Sequence, residues 1–499
     1  MNKKIIPIIV TVLLLVVGSV TAAIFFLKKS PKEQYFLAEI DSAKYMVELF
    51  KDRYKEEFAW VDVAKEKPVQ YEYDLSLQHD GQDEYAVMLN DVLNGLSATI
   101  TLQQDPVENI VSADFKGSFM DVKLENFTGY ATTEKLVIDL PFSDKYIQLK
   151  DNDFGKLMSN FDETYVGDEK LGLADILENR TLLTDEQSKY LLDEYVKHVY
   201  KELPDEAFTK ESETVDVHGK SLKTDRITMN LSAKDAQNLV LKVLEKAKTD
   251  EKLKAILVDI LKKSSGPEID AAVAMIEEEF ESAIDEAITE LKGSEDVTGN
   301  IESVIWVADK HVVKRELKAK EADEEFVIVK GTQLLEKEQQ VFAYEFSEGE
   351  SALHLKGELS WKGGKASDKV SILSDAGEGL TYTGEETLTN GERKFERVIT
   401  FEDEYDTFTF DWVGSSAYKN DSVVGDYSFG IATADFAGKL NIQEKAELIK
   451  KVEIPTDKES VDLGSMDATE LEQYLYEDLL PSFEEWSYQF AEAFESLFY

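Results

Sequence analysis

The sequence has 499 residues, with 101 Asp and Glu against 55 Lys and Arg, and so a formal net charge of -46 at pH 7. A field of this sign repels nucleic acids and anionic surfaces, which argues against DNA or RNA as a partner. The sequence contains no cysteine, which excludes disulfides, thiolate nucleophiles, cysteine-based zinc sites and iron–sulfur clusters.

An uncharged apolar run, residues 5–27, stands near the N-terminus between two pairs of lysines. At about 1.5 Å per residue, a helix of this length crosses a hydrocarbon core of roughly 30 Å. We therefore predict that residues 1–31 comprise a short cytoplasmic N-terminus and a transmembrane anchor, with the rest of the chain outside the plasma membrane. A cleaved signal peptide is the alternative, but the apolar run continues to the second lysine pair, which favours an uncleaved anchor.

The part that follows the anchor begins with a helical pattern and continues with strands. Apolar residues at steps of three and four predict an amphipathic helix over residues 32–58, packed on a core or, alternatively, in a juxtamembrane coiled coil. From Val69 the apolar period becomes two, which predicts a strand that ends at His79. A short helix over residues 83–96 follows. The next predicted strands form an antiparallel meander at residues 97–103, 110–120, 122–130, 135–140 and 146–150.

The middle of the chain is predicted to be mainly helical. Residues 154–203 have a helical pattern, in which Thr184 and Gln187 occupy the positions of a capping box. A strand is predicted over residues 214–231, with a turn at His218-Gly219, and Ser232 is the expected N-cap of the next helix. Two more helices are predicted, from Thr249 to Gly266 and over residues 268–292.

The last third is predicted to form strands from residue 300 to about 455. Phe408, Phe410 and Trp412 alternate with polar residues, and no proline between Pro267 and Pro455 interrupts strand pairing. Helices interrupted at Pro481 are predicted over residues 467–498. The fold class expected is α+β: the N-terminal transmembrane helix is followed by two abutting lobes of curved antiparallel β-sheet packed with helices, the first over residues 32–210 and the second over residues 211–499.

No pattern in the sequence indicates a catalytic or metal-binding site. There is no HExxH, G-x-S-x-G, P-loop or G-x-G-x-x-G motif. Residues 151–155 resemble a calcium loop but lack a third oxygen ligand and the final Glu, so we predict a turn. We therefore predict no catalytic, cofactor-binding or metal-binding residue and no cofactor. The five histidines lack metal-ligand spacing and are expected to be structural or exposed: His79, His198, His218, His311 and His354.

Residues 217–220 (VHGK) and 225–232 (DRITMNLS) lead from a strand into a helix. This stretch resembles one found in uncharacterised, single-pass membrane-anchored ectodomains of Gram-positive bacteria, a resemblance that covers the chain in outline and assigns no functional residue. Helices against a curved antiparallel sheet are also similar to lipoprotein carriers, which hold a lipid between sheet and helices. That second similarity is one of fold alone, and a fold hosts many functions.

The resemblance and the absence of catalytic motifs predict a non-catalytic binding or scaffolding ectodomain in the cell envelope. Its expected partners are the membrane, through the N-terminal helix, and a lipid, another apolar ligand or an envelope protein. The alternative is an envelope hydrolase that uses carboxylates or a bound metal ion, in which two carboxyl groups would lie about 5 to 9.5 Å apart. A third hypothesis is an extracytoplasmic sensor. The oligomeric state is not predicted.

Overall fold

Antiparallel strands dominate the structure. The computed structural model describes residues 30–79, 84–119, 122–162, 165–178, 183–263, 269–293, 299–321, 324–349, 351–433 and 436–495. The twenty strands of the described residues pair mostly antiparallel. The predicted α+β class of two sheet-and-helix lobes is therefore wrong.

The predicted anchor, residues 5–27, lies outside the described residues. In the ranges that the structure does describe, no helix is both long and apolar enough to cross a membrane.

The strands have the following bounds: β1 Val69–His79, β2 Leu96–Asp105, β3 Ile110–Phe119, β4 Val122–Ala131, β5 Lys135–Asp139, β6 Tyr146–Lys150, β7 Phe208–Val217, β8 Lys220–Ser232, β9 Asn300–Ala308, β10 His311–Glu321, β11 Glu324–Leu335, β12 Gln339–Glu348, β13 Ser351–Lys362, β14 Lys365–Ser374, β15 Gly379–Thr389, β16 Glu392–Glu402, β17 Thr407–Tyr418, β18 Ser422–Ala432, β19 Ala437–Leu448 and β20 Ser460–Asp462.

The α-helices have the following bounds: α1 Pro31–Arg53, α2 Lys55–Glu66, α3 Glu84–Asn94, α4 Phe154–Met158, α5 Leu173–Glu178, α6 Asp185–Leu191, α7 Lys197–Glu202, α8 Ala233–Lys248, α9 Glu251–Lys263, α10 Ile269–Gly293, α11 Ala468–Gln473 and α12 Leu480–Glu495. Two π-helical segments, Leu192–Val196 and Tyr474–Leu479, join α6 to α7 and α11 to α12.

The fold class was predicted wrongly although the strands over residues 300–455 were expected, because the helical share between residues 154 and 184 was overestimated. Within residues 154–203, the helices α4 and α5 have only 5 and 6 residues, whereas α6, the π-helical segment and α7 follow one another without a break. Gly167 and Gly172 break this region, since their φ values of 97° and 74° lie in the left-handed region. By contrast, each of the strands β9 to β19 runs for 9 to 12 residues.

Several local predictions are confirmed. Thr184 and Gln187 form the capping box of α6, and the Ser232 side chain accepts a hydrogen bond from the Asp235 backbone N–H at the start of α8. The expected interruption at Pro481 is wrong. Pro481 is the second residue of α12, which follows the π-helical segment Tyr474–Leu479 without a break, so the helix changes its hydrogen-bond pattern just before the proline and does not end there.

The chain separates into two compact units, each built from two stretches of sequence. The first unit comprises Met1–Arg53 and Thr181–Tyr382, and the second comprises Tyr54–Arg180 and Thr383–Tyr499. The domain limits inferred from the sequence, residues 32–210 and 211–499, stay a prediction.

In the first unit, the strands β7 to β14 pair antiparallel in sequence order. Tyr35 and Phe36 of α1 pack into the main core against Phe208 and Ile227 of this sheet. Inside that packing, the Glu39 carboxylate accepts a hydrogen bond from Arg315 at 2.6 Å, so the buried charge has a partner. The helix α8 covers a neighbouring core with Ala236 and Val240.

In the second unit, strands from the two ends of the sequence form one ladder. The strands β16 to β19 pair in sequence order, and β19 then pairs antiparallel with β1. From β1 the ladder continues through β2 to β6, and it ends with the short parallel strand β20. Trp60 and Ala64 of α2 pack on Val69, Val423 and Ala446 at one part of this sheet.

Candidate functional site: an apolar cleft in the second unit

An open cleft of about 660 Å³ lies between α3 and the strands β1, β17, β18 and β19. This volume falls within the range of roughly 300–1,000 Å³ that small-molecule sites occupy. Its walls are aliphatic and aromatic side chains, which include Leu77, Leu89, Phe410, Phe429, Ile431 and Leu440.

The cleft follows from the alternation of side chains along paired strands. Phe410 lies opposite Ile431, Phe429 lies opposite Leu440, and Leu440 lies opposite Leu77. Because opposed residues of an antiparallel pair share a face, four strands present these side chains on the same side of the sheet. The floor of the cleft is therefore fixed by strand register.

The other wall is the helix α3, which Asn90 fixes to the end of β1. The Asn90 side chain accepts a hydrogen bond from the His79 backbone N–H at 2.8 Å. It also donates one to the His79 carbonyl oxygen at 2.7 Å. These two hydrogen bonds satisfy the backbone N–H and C=O of the last residue of the strand. They also hold α3 so that Leu89 and Leu93 lie over the sheet.

Much of the apolar lining is open to solvent. Leu77 is 45% exposed, Ile431 is 42% exposed and Phe436 is 51% exposed. Each square ångström of apolar surface left in water forgoes about 25 cal/mol, and a contiguous exposed apolar patch commonly marks a binding surface. The cleft therefore has the exposed apolar side chains that are typical of a binding surface.

An aromatic cluster continues the same sheet face beyond the cleft. The Trp412 ring stacks on the ring of Phe429 with centroids 5.6 Å apart, and it contacts Phe395 edge-on at 5.0 Å. The Arg397 guanidinium lies over the Trp412 ring at 4.4 Å. Such stacked and cation–π contacts hold the rings rigidly beside the cleft.

The polar groups on this face fall into two classes. The Tyr427 hydroxyl donates a hydrogen bond to Glu444 at 2.9 Å, and burial together with the Glu444 charge raises the pKa of Tyr427. In contrast, the ring atoms His79 Nδ1 and Trp412 Nε1 are buried, and neither has a hydrogen-bond partner among the described residues. Buried polar atoms without a partner are rare and call for an explanation.

The structure scatters the other histidines among unrelated sites. His311 stacks on Tyr45 with centroids 4.7 Å apart, and His354 forms a hydrogen bond with Asp375 at 2.8 Å. His218 lies 3.4 Å from the Thr332 carbonyl oxygen, and His198 Nε2 is buried.

Residues 151–155 do not form a calcium loop. Asp151 begins a short 3₁₀ turn, and its carboxylate accepts a hydrogen bond from the Leu173 backbone N–H at 2.9 Å. Over the described ranges, no group of three potential metal-ligating side chains occurs. That the chain has no catalytic or cofactor site stays a prediction.

The sequence indicated some of the apolar residues that line the cleft, but it did not indicate that they come together in one cleft. The alternation of Phe408, Phe410 and Trp412 indicated one apolar face, and His79 was recognised only as the end of a strand. No local signal shows that β1 pairs with β19, which brings Leu77 opposite Leu440. A search for apolar residues on the same face of widely separated strands would have identified these candidates.

Comparisons with known proteins give distant likenesses only. No family model matches the chain, and no curated protein matches it. Among solved structures, OccK3 (OpdO) of Pseudomonas aeruginosa is 8% identical, with 77% of this chain and 95% of that chain covered and a TM-score of 0.23.

Two further structures are also distant from this chain. A BenF-like porin from Pseudomonas fluorescens Pf-5 is 7% identical, with 77% and 98% of the two chains covered and a TM-score of 0.23. The CymD monoaromatic hydrocarbon channel is 6% identical, with 77% and 89% covered and a TM-score of 0.15. TM-scores this low carry no argument about the fold or activity of this chain.

The comparisons do not support the predicted identity and location. They return a porin and a channel, and not a Gram-positive ectodomain or an envelope hydrolase. The comparisons support none of the predictions of an envelope scaffold, of a membrane partner through the N-terminal helix and of a single-pass plasma-membrane location, and these predictions are withdrawn.

Proposed function

We propose that the protein transports small molecules with an apolar body, which it takes up and releases through the cleft of the second unit. The observation that carries the proposal is the concave apolar floor of about 660 Å³. This role replaces the anchored scaffold and the hydrolase that the sequence predicted.

The lining supports uptake and release rather than chemistry. Among the described residues that line the cleft, the polar ones are Gln78, His79 and Lys439, and within that described lining no carboxylate occurs that could act as a nucleophile or general base. Because Leu77, Ile431 and Phe436 are half-exposed, a ligand reaches the floor directly from solvent. Transfer of its apolar surface out of water supplies the binding free energy.

The uncharged fluorescent probe N-phenyl-1-naphthylamine tests binding to the full chain. We expect saturable binding at one site, with a Kd of about 10 μM, since a ligand of this size gains roughly 0.3–0.5 kcal/mol per non-hydrogen atom. The variant Ile431→Trp fills the cleft and is expected to weaken binding at least tenfold. Absence of saturable binding to the wild-type protein would overturn the proposal.

The matched control is Val424→Trp. Val424 lies on the same strand and is 53% exposed, but its odd separation from Ile431 directs it to the opposite face of β18. We expect its probe affinity to stay within twofold of wild type. Equal weakening by both substitutions would show that the cleft is not the binding site.

Transport is tested separately from binding. We expect the wild-type protein to accelerate probe transfer between donor and acceptor vesicles of phosphatidylcholine, and Ile431→Trp to lose that acceleration. Binding without acceleration would limit the role to storage and contradict transport.

A further inference from the structure

We infer that the molecule in the cleft carries a hydroxyl group and that His79 binds this group. The inference rests on the proposed function, since it specifies the ligand of the same cleft. Its basis is the position of His79, which lines the cleft while its Nδ1 atom is buried with no hydrogen-bond partner among the described residues.

The His79 backbone is fixed, and its ring has an aromatic neighbour. Both backbone polar groups of His79 bond to the Asn90 side chain, and the ring lies 5.5 Å from the ring of Phe436, measured between centroids. Rotation of the ring about its side-chain bonds is therefore the remaining freedom. The inference requires that such a rotation presents Nδ1 to a ligand in the cleft.

The chemistry of the surroundings defines the class of ligand. An unpartnered buried nitrogen gains a hydrogen bond when a ligand supplies one, which favours such a ligand over a hydrocarbon of the same shape. A neutral imidazole nitrogen either donates or accepts, according to the tautomer, and a hydroxyl group does both. The remaining floor, formed by Leu77, Phe429 and Leu440, accommodates the apolar body. The ligand class is therefore an alcohol or phenol with an apolar body.

Two probes of nearly equal shape test this inference on the full chain: 2-naphthol, which has the hydroxyl group, and 2-methylnaphthalene, which does not. Their dissociation constants are measured by calorimetry or fluorescence for the wild type and for His79→Phe, which keeps an aromatic ring beside Phe436. We expect His79→Phe to weaken 2-naphthol binding about tenfold and to leave 2-methylnaphthalene binding within twofold.

Ser76→Leu is the matched control because Ser76 is exposed on the same strand, lies outside the lining of the cleft, and by alternation points to the face of β1 opposite His79. Its affinity for either probe is expected to stay within twofold of wild type. Equal effects of His79→Phe on both probes, or no effect on either, would overturn the assignment while the transport proposal stands. If neither probe binds the wild type, the proposed function itself fails. His79→Leu repeats the test if the Phe variant does not fold.

Discussion

Glu386 shows how single residues of the second unit keep charge inside a mainly apolar sheet. Its side chain is 0% exposed and contacts Arg393 at 2.9 Å, and it also contacts Arg397 at 2.7 Å. The Tyr54 hydroxyl donates a further hydrogen bond to it at 2.8 Å. Because desolvation of ions is costly, such a cluster is tolerated only when every member has a partner. Loss of the Glu386 charge removes the carboxylate that Arg397 contacts.

We therefore expect Glu386→Gln to lower the free energy of unfolding by about 3–5 kcal/mol, since it removes the carboxylate charge that the largely buried Arg397 contacts, while Arg393 keeps its pair with Glu57 at 2.6 Å. Urea denaturation measures this change. The control is Glu392→Gln, which breaks an exposed pair with Lys394 and is expected to cost less than about 1 kcal/mol. Similar values for the two variants would contradict the assigned role of the cluster.

Among secondary-structure elements, the helices of the first unit are joined through Asp250. Its carboxylate accepts a hydrogen bond from the Leu253 backbone N–H at the start of α9. It also accepts bonds from the hydroxyls of Tyr190 in α6 at 2.7 Å and of Tyr195 in the π-helical segment at 2.5 Å. Burial acts to raise the pKa of Asp250, but the bonds from Tyr195 and Tyr190 outweigh it and lower the pKa.

The lowered pKa gives a testable pH dependence. An Asp whose pKa is lower in the folded state stabilises the fold fully above its unfolded pKa of about 3.9, and this contribution is lost as the pH falls through the folded value. At pH 7 we expect Asp250→Asn to be less stable than wild type by about 1–2 kcal/mol.

The difference between wild type and Asp250→Asn should shrink as the pH is lowered towards 3, measured by urea denaturation at each pH. Asp216→Asn, at an exposed position of β7, is the control and should track the wild type throughout. A difference that stays constant with pH would show that the Asp250 carboxylate does not supply this stability through its charge.

The excess of acidic residues acts on the molecule as a whole. With a formal net charge of -46 at pH 7, repulsion among carboxylates opposes the compact state. Salt bridges between exposed side chains, such as Lys220 with Glu336 at 2.5 Å, offset little of this repulsion. Screening of this repulsion by salt therefore changes the stability of the folded state more than any single surface salt bridge does.

We expect the Tm at pH 7 to rise by several degrees between about 10 mM and 500 mM NaCl, because the Debye length falls from roughly 30 Å to about 4 Å. Differential scanning calorimetry measures the shift. Near pH 4.5, the isoelectric point of the sequence, the same increase in salt should have little effect. A Tm that falls with salt at pH 7 would contradict the repulsion argument.

Local structure could be predicted because its causes lie within a few residues. The capping boxes and the alternation of strands depend on side chains at most a few positions apart, so Thr184, Ser232 and the strand that ends at His79 were placed correctly. The fold class was not predicted correctly, since the extent of β-structure depends on which strands pair with one another. The candidate site was missed for the same reason.

By itself the sequence determined the element types over most of the described chain, the strongly acidic charge and the lack of cysteine chemistry, because each is a property of composition or of near neighbours. Only the tertiary structure decided that β1 lies between β19 and β2. Only that pairing makes the cleft, places Leu77 on its floor and leaves His79 Nδ1 buried beside it. Strand pairing joins residues hundreds of positions apart through backbone hydrogen bonds, which are the same for every residue type, so the sequence has little local information about the partner.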